Sequence, residues 1–199
     1  MARVLAIRQL GNGLSYVGHC KDALSVQGAE ISMLRRIGAP VMEVLGVQNN
    51  LAVTYEDLGR VDEALSMRQD VYSGRLKLNG EEHEYTLIAA NNYAFSLVQL
   101  KRFEEAKALL RKTMPVARRV LEVSHCVTLQ MRSLYAQALY RDPGATLGDL
   151  REAVSTLEDM ERTARRVLGG THPLVVQIER HLRAAREVLD AHGTSPGGS

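Results

Sequence analysis

The residues of this chain whose types and spacing could do chemistry are a few histidines, glycines and cysteines. His83-Glu84-Tyr85-Thr86-Leu87 opens like the metalloprotease pattern His-Glu-x-x-His, but Leu87 stands where the second imidazole must be. No zinc can be held that way. Gly13 and Gly18 have the spacing of a phosphate loop, yet His19-Cys20 follows where a lysine and a hydroxyl residue are required. Such a segment reads as a turn. Gly11-Asn12-Gly13 lacks the third glycine of a dinucleotide loop and a strand before it, and no Gly-x-Ser-x-Gly elbow occurs. Cys20 and Cys126 form neither a Cys-x-x-Cys pair nor a zinc spacing. They are expected to be small buried apolar residues in a reducing compartment, here taken as the cytoplasm. His83, His125 and His172 recur at one position of an internal repeat. A side chain copied with a repeat suits a structural junction better than a single active site. The expectation is a chain with no catalytic residue, no metal ligand and no cofactor, and therefore not an enzyme.

The elements that position these residues follow from composition and periodicity. The 199 residues carry 25 Lys+Arg against 23 Asp+Glu, a net charge of +2, with 45% hydrophobic and 24% charged residues. These are the proportions of a folded domain, not of a disordered or histone-like chain. No run approaches the roughly 18 apolar residues of a membrane span. So small a charge implies neither a nucleic-acid nor a membrane partner. Arg3 and Arg8, with no acidic residue before Asp22, faintly resemble a transit peptide, but the repeat runs straight through them and a first helix is the better reading.

The repeat has a period of about 42 residues. Asn49-Asn50-Leu51-Ala52-Val53-Thr54-Tyr55 aligns with Asn91-Asn92-Tyr93-Ala94-Phe95-Ser96-Leu97, and Arg60-Val61-Asp62-Glu63-Ala64 aligns with Arg102-Phe103-Glu104-Glu105-Ala106. A third copy contains Leu134-Tyr135-Ala136, followed by an insertion around the turn sequence Asp142-Pro143-Gly144. A degenerate first copy contains Gly11 and Gly18-His19-Cys20-Lys21-Asp22-Ala23. Each copy has two apolar segments of helical period, as in Val44, Val47, Leu51 and Tyr55 followed by Val61, Ala64, Leu65 and Val71. Asp62-Glu63 and Glu104-Glu105 open second helices, and Arg118-Arg119 and Arg165-Arg166 lie near their ends, matching the helix dipole. Thr171-His172-Pro173 reads as a helix start.

Gly11, Ala52, Ala94 and Ala136 share one position on first helices, and Ala23, Ala64, Ala106 and Ala153 share one on second helices. Small side chains there let paired helices pack closely, each hairpin burying its face against its neighbours. The segment from Pro173 places Arg183 at the small position, which predicts a capping helix over 173–191. Residues 192–199 read as a flexible tail.

Leu51-Ala52…Tyr55…Gly59-Arg60…Glu63-Ala64 resembles the tetratricopeptide repeat. The longer period, the Asn-Asn-Leu-Ala start and the Leu168-Gly169-Gly170-Thr171-His172-Pro173 junction resemble its kinesin light chain type. Lys101 departs from the family's turn glycine, Tyr93 from its leucine, and the fourth repeat lacks the asparagine pair. The resemblance implies an all-α fold: a right-handed α-solenoid spanning 1–191, with repeats over 2–38, 41–80, 83–122 and 125–169 and the cap behind them. It also implies a concave wall of first helices that holds an extended peptide or a partner's helix. Asparagines suit that task, since one amide both donates to and accepts from a peptide backbone. Projection onto this wall gives Asn49, Asn50, Val53 and Glu56 in the second repeat and Asn91, Asn92, Phe95 and Val98 in the third. Arg8 and Asn12 in the first repeat, and Ser133, Gln137 and Tyr140 in the fourth, complete the set. The expected function is a protein-interaction module of the kind that serves as a kinesin light chain-like adaptor or scaffold. The alternative is self-association through the first repeat, either as an assembly element or as part of a longer array. An RNA-binding helical repeat is disfavoured by the period and the balanced charge.

Overall fold

The computed structural model describes residues 2–194. Its described residues form nine α-helices: α1 (Ala2–Tyr16), α2 (Cys20–Arg36), α3 (Val41–Asp57), α4 (Val61–Asn79), α5 (Glu84–Gln99), α6 (Phe103–Val120), α7 (Cys126–Tyr140), α8 (Leu147–Leu168) and α9 (Pro173–Thr194). Helix α9 continues through residues 192–194, which the sequence assigned to a tail; the rest of that tail lies outside the described residues. The fold divides after Gly80 into two compact bodies, α1–α4 and α5–α9.

In the N-terminal body α1 packs on α2, α2 on α3 and α3 on α4. Ile31, Leu34, Val47 and Leu51 form its core, flanked by Leu24, Val44, Tyr55 and Met67. In the C-terminal body α7 is packed by α5, α6, α8 and α9. It is consequently buried on all sides from Val127 to Tyr140, Gln130 excepted. The small positions do what the sequence requires of them: Ala52, Ala64, Ala94, Ala106, Ala136 and Ala153 are all fully buried.

Helix starts and stops explain the recurring residues. His83, His125 and His172 precede α5, α7 and α9, and each Nδ1 accepts the N–H two residues on, from Tyr85, Val127 and Leu174, at 3.2, 3.3 and 3.2 Å. The repeated imidazole is an N-cap, satisfying an amide that the helix itself cannot. Thr146 caps α8 reciprocally with Asp149, which ends the inserted turn where Asp142 accepts the Gly144 N–H at 2.9 Å. Lys101 adopts φ 59° where the equivalent Gly59 has φ 72°. Its Cβ makes that left-handed turn cost roughly 1 kcal/mol more than glycine would. Both cysteines are free; Cys20 is half-buried, and Cys126, exposed at the first residue of α7, departs from the buried role expected of it.

One hairpin position changes character along the chain. Between first and second helices it pairs Ser15 with Gln27, then Glu56 with Arg68, then Val98 with Leu110, then Tyr140 with Leu157. Ser15 and Gln27 each bond to Thr54 of α3, Glu56 and Arg68 form an ion pair, and the last two layers bury their side chains without charge.

Candidate functional site

In the N-terminal body α1 and α3 touch each other and carry the projected residues of the first and second repeats. Asn50 Nδ2 donates to Asn12 Oδ1 at 3.0 Å across these helices. That bond fixes both amides and leaves the Asn50 carbonyl and the remaining Asn12 N–H groups for another polypeptide. Beside them Val53 is 41% exposed. The three line a cleft of about 760 Å³ together with Ser15, Gln27 and Asp57. Its floor is polar: Thr54 Oγ1 donates to Gln27 Oε1 at 2.9 Å, and the Ser15 hydroxyl lies 3.3 Å from that of Thr54. Asn49, half-buried beside Asn50, is engaged within the structure.

Two projected residues of this body are tied into its framework. Arg8 Nε donates to the buried Glu30 at 2.8 Å, and its guanidinium reaches Glu43 at 3.5 Å. Arg8 thus joins α1 to α2 and α3. Glu56 accepts from Arg68 of α4 at 2.5 Å, their side chains 21% and 7% exposed. It turns toward its own hairpin partner.

In the C-terminal body Phe95 on α5 is the exposed apolar counterpart of Val53. Asn91 is largely buried; its Nδ2 donates to Gln130 Oε1 at 3.5 Å and its Oδ1 is buried with no partner. Asn92 is half-buried and engaged. Val98 corrects the projection: it is fully buried in the hairpin core. The fourth repeat corrects it again. Ser133, Gln137 and Tyr140 are buried because α9 closes over α7. Gln137 Nε2 donates to Ser133 Oγ at 3.4 Å, and the Tyr140 hydroxyl lies 3.0 Å from His181 Nδ1. Burial pushes the Tyr140 hydroxyl up, partly offset by Arg141 and Arg180. The same burial, with Arg180 and Arg141 nearby, pushes the His181 imidazole down.

Three residues at these faces escaped the projection. Asp57 lies one turn beyond Val53 on the same side of α3. Arg180 and His181 lie 47 residues beyond Ser133 and Leu134, so the repeat shift would have found them had it been carried into α9. Among the described residues no three His, Cys, Asp or Glu side chains gather as a metal site, and no helix is long and apolar enough to cross a membrane.

Stacked helical hairpins with small residues at each crossing define a helical-repeat protein. Residues 43–119 match the tetratricopeptide repeat family model. The chain as a whole has the fold of kinesin light chain-like tetratricopeptide repeats. It is similar to the crystal structure of a point variant of the putative kinesin light chain nearly identical TPR-like repeats of Podosopora anserina, with TM-score 0.76 and 22% identity over 95% of this chain and 92% of that one. A second structure of those repeats gives 0.74 and 21% over 98% of each chain. BtubC (BKLC) from P. vanneervenii gives 0.64 and 15% over 100% of this chain and 84% of that one. No curated protein matches the chain.

Proposed function

We propose that this chain is a non-enzymatic, cytoplasmic interaction module, an adaptor or scaffold that holds an extended peptide or helical segment of a partner against its first helices. Repeats of this family generally mediate protein–protein interaction. The observation that carries the reading is the Asn12–Asn50 amide pair beside exposed Val53 in an open cleft. Polar groups placed to bond a backbone, next to an apolar anchor point, suit peptide recognition. Partners captured by the parent protein lose roughly tenfold or more in affinity for the Asn50→Ala/Asn92→Ala variant, since each amide contributes about 1 kcal/mol. The thermal midpoint stays near that of the parent. Equal capture by parent and variant removes the inner face from the reading.

A second reading rests on α1, where Leu5 and Leu10 are 55% and 54% exposed. Exposed apolar side chains of that kind suit self-association. Sedimentation then shows a mass that rises with concentration and returns to the monomer in Leu5→Glu; a constant monomer mass dismisses it.

A further inference from the structure

We propose that the cleft of the N-terminal body is a subsite for a basic side chain, lysine or arginine, of the bound peptide. The proposal rests on the peptide reading above and names the specificity of one part of that face.

Two observations point to a cation and a third to the peptide that carries it. First, the cleft lies where α1 and α3 both end, at Tyr16 and Asp57. The turns after them cap the carbonyls of Gly13, Leu14 and Ser15 and of Thr54, Tyr55 and Glu56, so what the two ends contribute is the negative end of the dipole. Second, Asp57 adds a carboxylate in the last turn of α3, the place where the dipole disfavours an anion. Asp57 is exposed and has no cation partner among the described residues. The cation nearest to it in sequence is occupied: Arg60 is held by Glu63 while lying over the Tyr55 ring. No Lys or Arg lines the cleft. Third, Gln27 on the floor is 1% exposed, and its Nε2 has no acceptor. A buried amide N–H in that state needs an acceptor. A peptide carbonyl beside the basic side chain supplies one once the side chains over the Gln27 amide shift to admit it.

The geometry divides the work. Asn12 and Asn50 take the peptide backbone, Asp57 and the two helix ends take the positive charge, and the Tyr16 ring, 93% exposed at the rim, offers its face to the same cation. Val53 covers the methylene stem. The equivalents of Asp57 in the next two repeats are Gln99 and Arg141, so the negative charge belongs to this subsite alone among those three repeats.

The test is selection of a random displayed peptide library on the full chain, followed by titration of the enriched peptides against parent, Asp57→Asn and Asn50→Ala. The expected result is a lysine or arginine at one fixed peptide position, with affinity about tenfold weaker for Asp57→Asn and no such difference once that residue is replaced by norleucine. Asp57→Asn removes an anion from a helix C-terminus, so its melting temperature does not fall. Asp57→Lys provides the second arm: it rejects the basic peptides and accepts versions with glutamate at that position. Enriched peptides that lack a basic residue, or that bind parent and Asp57→Asn alike while Asn50→Ala still weakens them, overturn the subsite and leave the peptide reading standing. Enrichment of nothing, or of peptides indifferent to every variant, overturns both.

Discussion

Glu56→Val lowers the stability of the N-terminal body by about 3 kcal/mol, because it leaves the Arg68 guanidinium buried without its counter-charge. The two side chains are joined at 2.5 Å, and Arg68 is 7% exposed. Adding Arg68→Leu recovers the loss to within about 1 kcal/mol, since a buried ion pair contributes little over a well-packed apolar pair. The chain already contains that solution: Val98 and Leu110 occupy the same hairpin position in the third repeat, both fully buried. Urea unfolding followed by circular dichroism reads both variants. A single substitution costing under about 1 kcal/mol would mean that water reaches Arg68 and that the pair is not structural.

Asp142→Ala costs about 2 kcal/mol near neutral pH, the penalty for stripping a hydrogen-bonded charge from a buried lysine. Lys107 is 4% exposed and donates to Asp142 at 2.9 Å, with the exposed Glu104 as its second partner. The Lys107 hydrogen bond, followed by the Gly144 N–H, holds the Asp142 carboxyl below its usual range. Burial alone pulls the Lys107 ammonium down, but the bonds to Glu104 and Asp142 outweigh it and the net direction is up. The signs follow by linkage. The Asp142 contribution is present above the ordinary carboxylate pKa and is lost as pH falls through the depressed folded value. The Lys107 contribution is present below the ordinary lysine pKa and is lost as pH rises through the raised one. Asp149, lowered by the Thr146 hydroxyl and amide, and Asp159, lowered by Arg132, act in the same direction as Asp142. Urea midpoints measured across the acid range therefore fall less steeply for Asp142→Ala than for the parent. Parallel curves would show that Asp142 does not carry the acid sensitivity assigned to it.

Much of the fold was legible because repetition makes a pattern self-confirming. The alanine columns, the Gly59 turn and the acidic starts of second helices each recur, and each has one physical reading. The histidines were legible as junction residues, although only the coordinates show an Nδ1 lone pair capping each helix. Exposure was legible for Val53 of α3 and Phe95 of α5, which are exposed where the shift projects them, while Asn50 is half-buried. The projection failed where tertiary partners decide. Arg8 and Glu56 are polar residues at projected surface positions, but buried counter-charges claim them. Val98 replaces a glutamate of the preceding repeat, and an apolar residue there sinks into the hairpin. Gln27 and Thr54 are polar and would be read as surface by pattern alone; their burial comes from bonding to each other.

The enclosure of α7 decides where this scaffold could be re-engineered. A helix walled in by four others offers, apart from Cys126 and Gln130, no side chain that can be exchanged for a new contact without disturbing packing. Libraries aimed at new binding specificities belong on α3 and α5, whose outward columns tolerate variation. Randomising α7 would select for foldability before it selected for any target.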